Sequence, residues 1–369
     1  MSRFPTPLDC VQNIASYQPG KPIEELAREL SLDPETIVKL ASNENPLGCS
    51  ELVAQEVSRE LSEVARYPDG GGYILKNRLS SKLGIPLDSL ILGNGSNDIL
   101  EMAAIAFLDH DRSAIYSEFC FVVNKLATQT RAAEGIEVRS MSYGHDLERM
   151  YDAIRDDTRI IFISNPNNPT GTFIPPTEIL RFIESVPEHI LVILDEAYYE
   201  YLPENLQSDS VNWIKRFPNL LVTRTFSKIY GLASFRVGYG MANPSLAEVL
   251  NRVRQPFNVN SYGLAAAAAA LSDDAFVRAS VQANNIGMRQ LVSVAEKLEL
   301  AYIPSHGNFL TIEFKQAGIE VYTKLLERGI IVRPLGGYGL PYHLRVSVGL
   351  ESENERFCVA LESLINSLA

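Results

Sequence analysis

The sequence predicts an α/β fold with a mostly parallel central sheet, followed by a smaller α+β unit at the C-terminus. Three observations predict it. Short, continuously apolar runs recur at residues 90–92, 114–116, 160–163, 190–194, 220–223 and 237–241. Helical stretches separate most of them, such as 97–108 and 178–186, and apolar strands alternating with helices mark a parallel sheet covered on both faces. The pattern then changes after about residue 260: an Ala- and Leu-rich helical region over 261–300 gives way to strands at 309–314, 330–332 and 344–348 and a closing helix at 351–368, the mark of an α+β unit.

Before the first strand, residues 21–30 read as a short amphipathic helix, with Ile23, Leu26, Ala27 and Leu30 at helical spacing. The expected division is an N-terminal segment, 1–44, packed on the small domain or on a partner subunit, a large domain over 45–260 and a small one over 261–369. A chain of 369 residues suits about two domains.

Composition removes several classes of function. With 33 Lys and Arg against 45 Asp and Glu, the net charge is -12. Such a chain does not attract a phosphate backbone, so nucleic acid is not an expected partner. The most apolar stretch, 262–271, is about half the length needed to cross a bilayer, so no membrane partner is expected. The opening MSRFPTPLDC lacks the apolar core of a signal peptide. Cys10, Cys49, Cys120 and Cys358 form no CxxC pair, which predicts neither a zinc site nor a disulfide framework and points to the cytoplasm.

Four polar motifs follow predicted strands, where open α/β sheets place their sites. In LGNGSN (92–97), Gly93 and Gly95 allow close backbone approach, Ser96 and Asn97 are candidate helix caps, and the exposed amides form an anion site. SNPNNPTG (164–171) is stiffened by proline and asparagine into a loop of fixed direction. LVILDEAYYEY (191–201) delivers Asp195 at a strand end. There a carboxylate is either a helix cap or the partner of something cationic. In TRTFSKIYGLASFRVGYG (223–240), Lys228 follows a strand directly, with Thr225, Ser227 and Arg236 nearby. A buried lysine loses its charge readily and becomes an amine nucleophile. Hydroxyls and a guanidinium fork are natural phosphate ligands. Together these are the requirements of pyridoxal 5'-phosphate: a Schiff-base lysine, an acid for the pyridinium nitrogen and a phosphate clamp.

On these motifs the chain resembles the fold-type I pyridoxal-phosphate-dependent aminotransferases, and within them the histidinol-phosphate aminotransferase family. Further matching segments are KLASNENPLG (39–48), ARYPDGGG (65–72), IPSHGNFL (303–310) and RGIIVRPLGGYGLPYHLRVSVGL (328–350). The resemblance implies that Lys228 is the Schiff-base lysine and Asp195 the pyridinium partner. Tyr198 and Asn168 would bind the ring's phenolic oxygen. Gly95, Ser96, Asn97, Thr225, Ser227 and Arg236 would hold the phosphate. Phe121 would stack on the ring, although SEFCFVVN (117–124) departs from the family pattern, has Asn124 where tyrosine is common, and leaves Phe119 as the alternative. Tyr67 would reach the cofactor phosphate of a neighbouring subunit, which implies a homodimer. Arg345 would grip the substrate α-carboxylate, a good bidentate match, and Arg333 the substrate phosphate, with Tyr17 and Asn43 lining the substrate site. No residue is assigned to a metal.

The activity this implies is amino exchange between histidinol phosphate and 2-oxoglutarate, an amino donor and a 2-oxo acid acceptor, giving imidazole-acetol phosphate and glutamate in histidine biosynthesis. An aromatic amino-acid aminotransferase and a threonine-phosphate decarboxylase share the same scaffold motifs and stay open. A cofactor-binding regulator would need a DNA-binding module, for which there is no room before residue 39 and no basic recognition helix.

Overall fold

The structure, a computed structural model, describes residues 5–12, 14–16 and 19–368. A short strand, β1 (Val38–Lys39), precedes a seven-stranded sheet built from β2 (Leu90–Gly93), β3 (Ser113–Ser117), β4 (Glu134–Val138), β5 (Thr158–Ser164), β6 (Leu191–Asp195), β7 (Leu220–Thr225) and β8 (Gly238–Ala242). Their order is β2-β8-β7-β6-β5-β3-β4. Only β8 runs against its neighbours; the remaining pairs are parallel.

The expected apolar runs are the centres of these strands, and their alternation divides the core. Ile161, Ile163, Val192 and Leu194 face one apolar cluster. Ile160, Phe162, Leu191 and Ile193 face the other, with Ile99, Leu100 and Ala103 of the helix Ser96–Phe107. Burying a side chain such as Phe162 stabilises the fold by roughly 1.5–3 kcal/mol. Parity therefore also fixes which way the polar residue at each strand end points.

The C-terminal part forms a four-stranded antiparallel sheet, order β12-β13-β10-β9. Its strands are β9 (Tyr302–Ile303), β10 (Phe309–Glu313), β12 (Arg333–Pro334) and β13 (His343–Ser347). β11 (Ile330–Ile331) pairs in parallel with β1, so the N-terminal segment is tied to this part of the chain. Leu26 and Ala27 of the helix Ile23–Leu30 pack there against Ile331.

Two expectations need correction, and one strand, β4, had no counterpart among the expected runs. The region 261–300 is two helices, Ser261–Ala270 and Asp274–Lys297. Asp273 breaks the run, its carboxylate accepting from the Phe276 amide at 2.9 Å and from the Ser50 hydroxyl at 2.5 Å. β4 went unanticipated because it is an edge strand with Glu134, Gly135 and Glu137 exposed. The single strand expected at 330–332 divides into β11 and β12, each with a different partner.

Candidate active site

The carboxyl ends of β5, β6 and β7, the N-terminus of the helix Ser96–Phe107, and β12 and β13 of the smaller sheet enclose a cleft of about 920 Å³, open solvent at its mouth included. Fourteen of the sixteen expected site residues line it. They are Asn43, Gly95, Ser96, Asn97, Phe121, Asn168, Asp195, Tyr198, Thr225, Ser227, Lys228, Arg236, Arg333 and Arg345.

Asp195 closes β6 and is only 6% exposed. Its Oδ1 accepts from the Thr223 hydroxyl at 2.8 Å. Burial raises its pKa to about 6; the Thr223 bond and the Lys228 ammonium pull the other way. On the opposite face of the same strand ends, Glu196 and Arg224 form a buried ion pair at 2.8 Å. Ser208 and Ser210 donate to the Glu196 carboxylate, and the Arg224 guanidinium lies over the Tyr199 ring. This pair fastens β6 to β7 behind Asp195.

Lys228 lies three residues beyond β7 in a tight turn, where Gly231 N donates to the Lys228 carbonyl at 2.9 Å. Its Nζ faces the cleft and donates to the Ser42 carbonyl at 3.2 Å. Burial lowers its pKa to about 8, and the Arg345 charge acts in the same direction. The amine is thus prepared for the neutral form that a nucleophile requires.

The helix Ser96–Phe107 begins without a side-chain cap; Gly95 is the capping residue and Ser96 the first helical one. This corrects the expectation of Ser96 and Asn97 as caps, and it leaves first-turn amides facing the cleft as an anion site. Gly95 has φ +79°, and a Cβ there would lie 2.7 Å from the Arg236 guanidinium. Arg236 itself has φ +57° and donates to Ser227 Oγ at 3.4 Å. Thr225 Oγ1 accepts from Ser227 N at 3.1 Å. Uncapped amides, two hydroxyls and a guanidinium around a glycine fit a phosphate, and Lys228 and Asp195 fit the rest of pyridoxal phosphate.

Arg333 and Arg345 are cross-strand partners on β12 and β13, so they share a face of the sheet. Arg345 donates to Asn168 Oδ1 at 2.6 Å and to the Ala41 carbonyl at 2.8 Å. With Oδ1 taken, Asn168 presents its NH2 as a donor. Tyr198 OH accepts from Asn43 Nδ2 at 2.9 Å. Burial pushes the Tyr198 pKa up to about 12, which keeps the hydroxyl protonated and able to donate. Asn43, with φ +54°, is held by Ser347, whose Oγ accepts from Asn43 N at 2.8 Å and bonds Asn43 Oδ1 at 2.9 Å.

Phe121, not Phe119, lines the cleft; the Phe119 ring lies against Tyr143 at 5.9 Å. Tyr67 is not at this cleft. It is 83% exposed and stacks on Phe257 at 4.8 Å on a separate surface. Tyr17 lies outside the described residues. The cleft also holds residues not singled out from the sequence: Ser42, Ser164 and Tyr338. Tyr338 stands in the GGYG stretch, whose glycine density was its only signal. Ser164 and Ser42 lie in the motifs SNPNNPTG and KLASNENPLG, but nothing local set them apart from their neighbours there. Among the described residues, the single cluster with metal-ligand spacing, Asp109, His110 and Asp111, is wholly exposed and is not among the residues lining the cleft.

Residues 35–361 match the family model for class I and II aminotransferases. The chain is 52% identical over 351 residues to histidinol-phosphate aminotransferase 2 of Nitrosospira multiformis, covering 95% of this chain and 90% of that protein. It is 54% identical over 355 residues to histidinol-phosphate aminotransferase 1 of Thiobacillus denitrificans, covering 96% and 92%. Its fold is similar to the crystal structure of histidinol-phosphate aminotransferase from Sinorhizobium meliloti in complex with pyridoxal-5'-phosphate. That comparison has a TM-score of 0.90 and 25% identity over 100% of this chain and 99% of that one.

Proposed function

This chain belongs to the class I and II aminotransferase family, and on that premise we propose that it exchanges amino and keto groups between histidinol phosphate and 2-oxoglutarate. The products are imidazole-acetol phosphate and glutamate, the pathway is histidine biosynthesis, and the compartment is the cytoplasm. Among the described residues no helix is long and apolar enough to cross a membrane. The expected division at residues 45 and 261 goes with this reading. It would place Asp195 and Lys228 on the large domain and both arginines on the small one.

Pyridoxal 5'-phosphate, when bound, supplies an aldehyde that takes up the amino group and a protonated ring that accepts electron density from the substrate carbon. Lys228 would meet the aldehyde through Nζ, and its amine, whose pKa burial lowers to about 8, would move the proton at the substrate α-carbon. Asp195 would hold the proton on the ring nitrogen; burial raises its pKa to about 6, and a cationic ring nitrogen beside it would favour the ionised carboxylate. Tyr198 OH and Asn168 NH2 would donate to the phenolic oxygen. Gly95, Ser96, Asn97, Thr225, Ser227 and Arg236 would hold the phosphate, and Phe121 would cover the ring.

The observation that carries the choice of substrate is the cross-strand pair Arg333–Arg345 at the cleft. Like charges directly opposite each other on neighbouring strands are destabilising, so the pair suits anionic ligands: the single phosphate of histidinol phosphate in one half of the exchange and the two carboxylates of glutamate in the other. Arg345 takes a carboxylate when glutamate binds, and Arg333 takes the substrate phosphate. The test is an assay of the purified protein with histidinol phosphate, phenylalanine or threonine phosphate as donor. Glutamate formed fastest from histidinol phosphate supports the proposal. Preference for phenylalanine makes the enzyme an aromatic aminotransferase, and carbon dioxide released from threonine phosphate makes it a decarboxylase.

The exposed Tyr67–Phe257 stack belongs to this reading as a surface offered to a second copy, in which Tyr67 reaches the partner's cofactor phosphate. Mixing inactive Lys228→Ala chains with impaired Tyr67→Ala chains tests it. Activity recovered after subunit exchange supports shared sites; a monomer at working concentration rejects them.

A further inference from the structure

Ser164, the last residue of β5, lines the cleft, yet its Oγ is buried and has no hydrogen-bond partner among the described residues. A buried hydroxyl left in this condition is costly, and folded proteins keep few of them. The surrounding sheet shows what it faces. Ser164 is the register partner of Asp195 on β6, and Asp195 is the register partner of Thr223 on β7. Parity puts all three on one face: Phe162, Ile193 and Leu221, two residues earlier in each strand, belong to the same core cluster. The result is a row of hydroxyl, carboxylate and hydroxyl across three strand ends.

One side of that row is complete, with Thr223 donating to Asp195 Oδ1 at 2.8 Å. A carboxylate has room for about four hydrogen bonds, and no second side-chain donor reaches Asp195 among the described residues. The Ser164 backbone is fixed. His145 Nε2 lies 3.2 Å from Ser164 N and 3.0 Å from Ser164 O, and Asn165 N donates to the Asp195 carbonyl at 2.9 Å. Burial holds the His145 pKa down, to about 4, so the brace is a neutral ring. Only the Ser164 hydroxyl remains to be positioned.

We propose that Ser164 is a cofactor-site residue whose hydroxyl supplies a hydrogen bond at the Asp195 end of pyridoxal phosphate, directly or through one ordered water. It is a positioning residue: it acts on the acid and the ring nitrogen and transfers nothing itself. The inference rests on the cofactor reading above.

The test separates the cost of the empty site from the benefit of the filled one. Ser164→Ala removes an unsatisfied buried group, so the cofactor-free protein should unfold at the same temperature as wild type or higher. Titration of that protein with pyridoxal phosphate should show affinity weakened about two- to tenfold, the span of one neutral hydrogen bond. In an Asp195→Asn background the same substitution should cost clearly less, because the two groups act on one another. Unchanged affinity, a fall in affinity matched by a fall in the apoprotein's melting temperature, or losses that simply multiply in the double variant would each overturn the proposal. If the wild-type apoprotein takes up no pyridoxal phosphate, the cofactor reading itself fails.

Discussion

At the cofactor end of the cleft, each key group rides on a strand end, a helix start or a tight turn packed into the large sheet. Asp195 follows four fully buried strand residues, and Gly95 is wedged against Arg236 with no space for a methyl group. At the substrate end, Arg333 lies on a two-residue strand. Tyr338 lies in a turn whose Gly336 and Gly337 have no heavy atom near the position of a Cβ. The contrast follows from chemistry. On the proposed reading, one end would hold a single cofactor and gain from rigid placement. The other must accept both a phosphorylated amine and glutamate in turn, and a loosely packed rim allows both.

The largest effect that would sharpen this contrast is at Lys228. Lys228→Ala should abolish transamination while circular dichroism and melting stay close to wild type, because the side chain faces a cleft and supports no core. Turnover near the wild-type rate would remove Lys228 from the chemistry. Next comes Asp195→Asn, which should still bind cofactor but lose about a hundredfold or more in kcat, the scale of removing one preorganised electrostatic group. Activity within a few-fold of wild type would make Asp195 a structural residue.

At the substrate end the losses should be smaller and selective. Arg345→Lys loses the bidentate fork and should raise KM for glutamate more than for histidinol phosphate, which has no carboxylate, with cofactor affinity kept. Arg333→Gln should raise KM for histidinol phosphate and leave glutamate within about twofold, an outcome based on the loss of one charged contact. Equal damage to both substrates would erase the distinction between the two arginines.

Much of the cofactor end was legible because its signals are local. The apolar run at 191–194 ends on Asp195, and Lys228 sits in a run of Ser, Thr and Gly straight after a strand. Ser164 was not legible, since its meaning depends on the register between β5 and β6, which no short stretch of sequence specifies. The break at Asp273 depends on Ser50, more than two hundred residues away. Tyr67 carries a motif signal, yet its place on an exposed surface gives it no role within one chain. Of the two rings, Phe121 lines the cleft and Phe119 lies against Tyr143, a difference that depends on the fold around 117–124 and not on the local sequence.

A pH dependence tests the buried lysine by a separate route. The folded-state pKa of Lys228 is lowered from 10.5 to about 8. Its contribution to stability is therefore fully present above pH 10.5 and is lost as pH falls through about 8. The apoprotein should gain stability as pH rises through that window, with an increment absent from Lys228→Ala. Denaturant melts at several pH values would measure it, and identical slopes for the two proteins would contradict the lowered pKa.

The central claim, that Lys228 is the amine joined to pyridoxal phosphate, is open to a direct chemical measurement. The protein is loaded with cofactor, reduced with borohydride to make the carbon–nitrogen link permanent, digested and examined by mass spectrometry. The expected result is a phosphopyridoxyl group on the peptide containing Lys228 and on no other lysine. A label on a different lysine, or none on a protein that binds cofactor and is active, would contradict it.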